Sequence, residues 1–386
     1  MMAGDRTTPG SSKPNPFLSG MRCIKCRRLW PTSDYFLGCP NCARAGAPAS
    51  VAPDFDRLPS LSGPADLSGW LAYPGAPILG EGNTPLIDLP PLAEKTNVKR
   101  LRIKNEGSNP TGSHKDRMSA ALVRRARDVG ASKLAVASSG NAGVSLAAFA
   151  SNAGLECVLV TTADIGQGWR RAIELHGAEI VMAPSSMARW DIVSARAMRG
   201  EWYPATNFAM PAVGGNPFAV DGLRTIALEL HLDVNEDPPT DIIVPVSRAD
   251  LLWGLAKGYD DLASQGLIKK PPRIHAAEPF PRISRVLAGE SYFGHFDGRS
   301  PLSSLGGTTV TYQAIDALSR STGRVITPST DDTLRAQSEL ARVGLFVEKS
   351  SAITLSALHI LRRQSIIDEN ASVILIVTSH GYKDQP

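Results

Sequence analysis

Lys115 is the residue whose type and neighbours best fit chemistry at a reactive carbonyl group. It follows a run of small and polar residues, 109–114, and precedes Asp116 and Arg117. Gly112 in this run lets the backbone approach a ligand closely, because glycine tolerates conformations closed to other residues. A lysine amine can condense with an aldehyde and, once released, act as a general base. The segment therefore predicts a lysine that holds an aldehyde cofactor, whereas an isolated Lys-Asp pair would more often be an exposed ion pair.

A second candidate segment, residues 138–141, lies between a predicted strand and a predicted helix. Free backbone donors and the helix dipole at such a helix start favour an anion. We therefore predict that Ser138, Ser139 and Gly140 bind a substrate carboxylate. The alternative is an ordinary Ser and Asn helix cap, which is common. Only the occurrence of this segment together with Lys115 favours the functional interpretation.

Four of the five cysteines form two pairs with the spacing of a zinc site. Twelve residues separate the pairs, and four thiolates at this spacing suit tetrahedral zinc. A site closed by four sulfurs leaves no open position for substrate, so its role is structural. The alternative is four reduced thiols without a metal. We predict one zinc ion per chain, in a reducing compartment, bound by Cys23, Cys26, Cys39 and Cys42.

The segments that must position these residues follow an α/β pattern. From Ile78 onward, short apolar runs alternate with longer amphipathic segments, which is typical of βαβ units around a mostly parallel sheet. We predict strands at 133–137, 156–160, 180–182, 242–246 and 373–378, and helices at 142–152, 169–176, 191–198, 251–262 and 350–363.

Changes in composition along the chain predict its domain organisation. Residues 1–20 are polar and Pro-rich and are expected to be a disordered tail. A zinc ribbon at 21–45 and a linker at 46–77 follow. The remainder, 78–386, is the expected catalytic region, within which roughly 117–210 form a smaller mobile subdomain.

Composition and charge narrow the class of protein. The 386 residues are 42% hydrophobic, enough for a large core and more than one domain. The net charge of +4, from 41 Lys and Arg against 37 Asp and Glu, gives no reason to expect nucleic acid as a partner. No apolar run approaches the ~18 residues of a membrane span, and the first residues contain no signal-peptide core. We expect a cytoplasmic protein that does not bind membranes.

The segments around Lys115, 138–141 and 378–384 together resemble pyridoxal-phosphate (PLP) enzymes of the tryptophan synthase β-subunit fold, fold type II. Threonine synthases are the most similar members, and some of them also carry an N-terminal ribbon. The resemblance extends from about Ile78 to the C-terminus. It implies two subdomains with mostly parallel sheets flanked by helices, a small-molecule amino-acid substrate, a homodimer, and Lys115 as the catalytic lysine that carries PLP.

The resemblance also assigns roles to single residues. The matching asparagine of the family bonds to the ring oxygen of PLP, which implies this role for Asn141. A hydroxyl at the closing strand faces the ring nitrogen, with Thr378 the first choice and Ser379 the second. Such a hydroxyl does not hold the nitrogen protonated, which suits elimination and replacement. Ser113 and Thr308 are assigned to substrate. His114 departs from the aromatic residue that is usual before the lysine.

The phosphate-binding loop is the strongest departure from the family pattern. Where a glycine-rich loop is expected, this chain has Ser247, Arg248, Ala249 and Asp250. In one hypothesis the Ser247 hydroxyl, backbone donors and the Arg248 guanidinium replace the glycines, because arginine binds phosphate through charge-assisted bonds. Asp250 must then point away from the phosphate. In the other hypothesis, phosphate binding is lost and the protein is a non-catalytic relative.

A second departure concerns the substrate. Segment 164–171 lacks the Lys and Gln residues that threonine synthases usually have there, and Arg170 or Arg171 would have to replace them unless both are surface charges. Three functions therefore stay open. They are threonine synthase-like conversion of O-phosphohomoserine, PLP-dependent β-replacement or dehydration of a serine-like amino acid, and a non-catalytic binding protein of the same fold.

Overall fold

The computed structural model describes residues 13–384, apart from Ser139 and residues 235–236. The strands are β1 (Leu18–Cys23), β2 (Leu29–Trp30), β3 (Val51–Phe55), β4 (Leu86–Asp88), β5 (Arg100–Asn105), β6 (Lys133–Ala137), β7 (Glu156–Thr161), β8 (Glu179–Met182), β9 (Tyr203–Pro204), β10 (Asp241–Pro245), β11 (Arg273–Ala277), β12 (Val325–Ile326) and β13 (Ser372–Val377). The α-helices are α1 (Pro40–Arg44), α2 (Pro90–Thr96), α3 (Lys115–Asp128), α4 (Asn141–Asn152), α5 (Gln167–Leu175), α6 (Ala188–Ala197), α7 (Pro217–Asp221), α8 (Thr225–Asp233), α9 (Asp250–Ser264), α10 (Ile283–Leu287), α11 (Tyr312–Ser321), α12 (Thr330–Arg342) and α13 (Lys349–Arg363).

Two sheets form the main body. The larger has the order β12-β11-β10-β13-β5-β4, and its strands are parallel except for the antiparallel edge strand β4. The smaller has the order β8-β7-β6-β9 and is wholly parallel. The central strands β10 and β13 are buried along their whole length, which explains why they read as continuous apolar runs. The α/β prediction is therefore confirmed.

The predicted strands and helices are present, with ends that differ by at most three residues. The largest difference is at α6, which begins at Ala188 because the Ser185 hydroxyl accepts the Ala188 N–H at 3.1 Å and starts the helix early. No helix among the described residues is long and apolar enough to cross a membrane. Of the expected disordered tail, residues 1–12 lie outside the described part of the chain.

A third, antiparallel sheet, with the order β2-β1-β3, carries the N-terminal cysteines. Strand β3 lies within the segment expected to be a linker, where it pairs with the edge of β1 that β2 leaves free. The ribbon forms salt bridges with two helices of the main body, α3 and α11. Asp34 binds Arg125 of α3 at 3.0 Å, and Arg27 binds Asp316 of α11 at 2.7 Å.

The carboxyl ends of β6, β10 and β13 lead directly into the candidate site segments. Residues 138–141 follow β6, residues 247–250 follow β10, and Thr378 follows β13. Ligands of open α/β sheets bind at the carboxyl ends of parallel strands. The segments after β10 and β13 thus lie at one edge of the larger sheet, and contacts of Asn141 with Glu348 and Lys383 bring the segment after β6 to the same region.

Candidate functional site

The segment before Lys115 is hydrogen-bonded to the end of β13. The His114 N–H donates to Thr378 O at 3.1 Å, and the Ser379 hydroxyl donates to Gly112 O at 2.9 Å. Gly112 has a φ of +80°, and a Cβ there would lie 2.4 Å from His380 Nε2. Only glycine fits this position, because both its conformation and the space exclude a side chain.

Lys115 is the first residue of α3 and is partly accessible, with Nζ 3.5 Å from Met118 Sδ. Burial by surrounding protein lowers the pKa of Lys115 from its ordinary value; the Asp250 carboxylate opposes this shift, and Arg248 adds to it. A lowered pKa increases the fraction of neutral amine, the form that attacks a carbonyl.

His114 lies beside this lysine as a neutral ring. Burial, with the positive charge of Lys115, holds the pKa of His114 well below its ordinary value. Its Nδ1 lies 3.4 Å from the carbonyl oxygen of Thr378, which can only accept, so the Nδ1–H tautomer fits. An uncharged, planar His114 ring therefore stands where the family usually has an aromatic residue.

The turn after β6 keeps backbone donors available. Ser138 Oγ accepts the Gly140 N–H at 3.2 Å, and no side chain among the described residues caps α4. The predicted substrate residue Ser139 lies outside the described residues. Trp169 of α5 covers the turn, because a Cβ on Gly140 would be 3.3 Å from its ring. The N-terminus of α4 can thus accept an anion beneath an indole ring.

The side chain of Asn141 contacts two charged residues, which the sequence did not reveal. Its Nδ2 donates to Glu348 Oε2 at 3.0 Å, and its Oδ1 accepts from Lys383 Nζ at 2.8 Å. Glu348 is buried at the start of α13. Lys383 belongs to the C-terminal turn.

The two hydroxyls at the end of β13 have different surroundings. Thr378 Oγ1 pairs with Ser351 Oγ at 2.9 Å. Ser379 is fully buried and its hydroxyl is engaged with the Gly112 carbonyl. Ser351 Oγ also accepts the backbone N–H groups of Thr378 and Ser379, each at 3.1 Å. Thr378 is consequently the hydroxyl that is freer to meet a ligand.

The loop after β10 has a strained, cation-rich structure. Ala249 has a φ of +71°, a left-handed conformation that is costly for alanine and frequent at functional sites. A Cβ at Gly307 would lie 2.9 Å from Ser247 Oγ, 3.4 Å from Arg248 Nη1 and 3.7 Å from Arg282 Nη1. The hydroxyl and both guanidinium groups therefore converge beside the N-terminus of α9.

The charges around this loop favour an anion. Burial lowers the pKa of the Arg248 guanidinium, and Arg248 forms no salt bridge with any residue that the structure describes. The Asp250 carboxylate accepts the Gly215 N–H at 2.9 Å, and its negative charge opposes the effect of burial on the pKa of Arg248. Arg282 binds the carbonyl oxygens of Val246 and Gly307 and holds the loop in place.

The remaining predicted substrate residues lie as follows. The Ser113 hydroxyl is buried without a hydrogen-bond partner among the described residues. Thr308 adjoins Gly307, and its hydroxyl lies 3.2 Å from His295 Nδ1. Arg170 forms an exposed ion pair with Glu174 at 2.9 Å, and Arg171 is exposed. Neither arginine is directed at the Lys115 region by these contacts.

The four cysteine sulfurs form a compact cluster. Cys23 and Cys42 Sγ are 3.6 Å apart, Cys26 and Cys39 Sγ are 3.7 Å apart, and all four lie within 4.8 Å of one another. Tetrahedral zinc with Zn–S bonds of ~2.3 Å requires sulfurs about 3.8 Å apart. The cluster therefore fits a zinc ion.

Comparison with known proteins identifies the family. The model of the family described as "Pyridoxal-phosphate dependent enzyme" matches residues 78–379. The chain belongs to this family. Threonine synthase of Methanocaldococcus jannaschii is 28% identical over 94% of this chain and 92% of its own, and that of Mycobacterium tuberculosis is 31% identical over 79% and 82%. Maize serine racemase superposes with a TM-score of 0.67 and 22% identity over 78% of this chain and 89% of its own.

This protein is accordingly a PLP-dependent lyase with threonine synthases among its homologues, and its fold is that of PLP fold type II. The family assignment does not support the hypothesis of a non-catalytic relative. The residues present fit the cofactor, since an amine of lowered pKa, an unpartnered buried Ser113 hydroxyl and a cation-lined helix N-terminus lie in the predicted segments.

Sequence reasoning missed several residues of this region. Arg282, Glu348, Lys383 and Trp169 received no role, although a glutamate two residues before the pair Ser350 and Ser351 and a lysine after the last strand were visible signals. Arg282 could not have been found, because its place beside the loop depends on a contact with Gly307, 25 residues away.

Proposed function

We propose that this enzyme is a threonine synthase, as its relatives are named. It would convert O-phosphohomoserine to threonine by elimination and replacement. The observation that carries the proposal is the position of Lys115. Its amine has a lowered pKa, it starts α3, and its segment is hydrogen-bonded to the end of β13.

Each predicted residue has a place in this proposal. Bound PLP supplies an electron sink for a carbanion on the substrate. Lys115 Nζ would hold the cofactor and, when free, move protons at the α- and β-carbons. Asn141 would bond to the ring oxygen, and Thr378, with Ser379 as second choice, would face the ring nitrogen.

The cofactor phosphate would lie at the N-terminus of α9. Arg248 and the Ser247 hydroxyl would bind it, together with backbone N–H groups exposed by the left-handed Ala249. Asp250 would contribute its backbone only, because its carboxylate is engaged by Gly215. The chain thereby would replace a glycine nest with a guanidinium.

The substrate carboxylate would bind at the start of α4. Ser138, Ser139, Gly140 and Ser113 are the proposed contacts, supported by the uncapped helix end and the unpartnered Ser113 hydroxyl. Thr308, which adjoins Gly307 beside the loop after β10, is the remaining proposed substrate contact. We further propose one structural zinc ion bound by the four ribbon cysteines, a cytoplasmic homodimer, and a smaller subdomain at roughly 117–210 that moves on substrate binding.

A second candidate function has specific support. Arg170 is in a surface ion pair, and Trp169 covers Gly140. An indole above the carboxylate turn, without a cation from this segment, suits a short serine-like substrate better than a phosphorylated one. β-Replacement or dehydration is therefore the alternative.

One set of assays separates these functions. PLP is added, absorbance is recorded, the protein is reduced with borohydride, and the labelled peptide is sequenced. Label on Lys115 and phosphate release from O-phosphohomoserine support the proposal. Pyruvate and ammonia from serine, without phosphate release, support the alternative. Label on another lysine would contradict both.

A further inference from the structure

The side-chain amide of Asn141 is held between two charged residues that are distant in sequence. Lys383 Nζ lies 2.8 Å from Oδ1, and Glu348 Oε2 lies 3.0 Å from Nδ2. Among the described residues the amide makes one further contact, of 3.5 Å from Nδ2 to Ser304 Oγ, which is too long for a strong hydrogen bond. One N–H of Nδ2 and one lone pair of Oδ1 therefore remain available to a ligand.

The chemistry of the two neighbours determines which way the amide faces. A lysine ammonium can only donate, and a carboxylate can only accept. If the amide turned over, its NH2 group would face the Lys383 ammonium and its oxygen would face the Glu348 carboxylate. Both contacts would then be repulsive, so the pair selects one orientation.

Lys383 and Glu348 are themselves fixed by the fold. The Lys383 chain passes over Gly112, where an added Cβ would lie 3.0 Å from Lys383 Cε. The next residue, Asp384, accepts the Lys349 N–H at 2.7 Å and anchors the C-terminal turn to α13. The Glu348 N–H donates to Ser379 O at 3.1 Å, and Ser304 donates to the Glu348 carboxylate.

We propose that Lys383 and Glu348 are positioning residues that lock the Asn141 amide, so that its free N–H is presented to the ring oxygen of the cofactor. The inference rests on the proposed role of Asn141. The charges of Asp116 and Glu348 act on Lys383, and the charge of Lys383 acts in turn on His114 and His380. They are common to every variant in the test below.

The test is the pH titration of the absorbance of the Lys115-bound cofactor. A hydrogen bond donated to the ring oxygen stabilises its negative charge, so it lowers the pKa of the proton shared by this oxygen and the Lys115 nitrogen. Loss of the bond should therefore raise the pKa read from the absorbance titration. Lys383→Met should raise it by about one unit. Lys383→Arg, which also only donates, should restore most of the wild-type value. Lys269→Met, at an exposed lysine, is the control and should change nothing.

A double-mutant cycle shows whether Lys383 acts through Asn141. In an Asn141→Ala background, Lys383→Met should cause no further shift. A full shift in that background, or an equal shift in Lys383→Met and Lys383→Arg, would overturn the inference. The inference would also be overturned if Lys383→Met showed the wild-type pKa while Lys115 was still labelled. If Lys115 of the wild-type protein were not labelled, the proposed function itself would be refuted. Circular dichroism of each variant confirms that it is folded.

Discussion

Replacing Arg248 by alanine should remove most of the preference of the enzyme for a phosphorylated cofactor. The Arg248 guanidinium and the Ser247 hydroxyl both lie beside Gly307, close to the start of α9. No carboxylate among the described residues forms a salt bridge with Arg248. A hydrogen bond to a charged group contributes about 1.5–3 kcal/mol. At about 1.4 kcal/mol per factor of ten, PLP affinity should fall roughly 10- to 150-fold.

The assay compares PLP with pyridoxal, which has the same aldehyde but no phosphate. Dissociation constants are measured by absorbance for both ligands with wild-type protein, Arg248→Ala and Arg248→Lys. Loss of affinity should be confined to PLP, and lysine should restore part of it. Arg335→Ala, at an exposed ion pair on α12, is the matched control. If Arg248→Ala keeps the wild-type ratio of the two constants, the phosphate is bound elsewhere and the reasoning about this loop is wrong.

Three further predictions concern stability and the metal. Arg117 forms buried ion pairs with Glu106 and Glu229 at 2.7 and 2.6 Å. Arg117→Met leaves buried carboxylates without this partner, so it should lower the free energy of unfolding in urea by about 3–5 kcal/mol. A decrease below about 1 kcal/mol would contradict this. Burial alone would raise the pKa of Glu229, but Arg117 and Lys104 lower it to about 2. Its stabilising effect should therefore be complete above about pH 4.5 and be lost as the pH falls toward 2, as acid-unfolding curves can show. Metal analysis should find one zinc per chain, and chelation should lower the melting temperature; absence of zinc with four titratable thiols would refute the site.

Local pattern was sufficient for much of this protein. The apolar runs that became β6, β10 and β13 were visible because a buried parallel strand must be apolar on both faces. The small and polar residues around Lys115 indicated the cofactor chemistry, and the family match confirms that class of enzyme. Paired cysteine spacing likewise predicted a compact cluster of four sulfurs, and the structure contains it.

Only the tertiary structure decided which side chains meet across the site. Lys383 and Glu348 reach Asn141 from 242 and 207 positions away, and Arg282 meets Ser247 and Arg248 beside Gly307. Periodicity describes which face of an element is buried, and it carries no information on the partner of a polar side chain. That partner depends on strand order and helix packing, through which β13 brings the C-terminal turn against the start of α3. The sequence by itself therefore determined the fold class and the family of PLP-dependent enzymes, and the packing decided how the side chains around Lys115 are oriented.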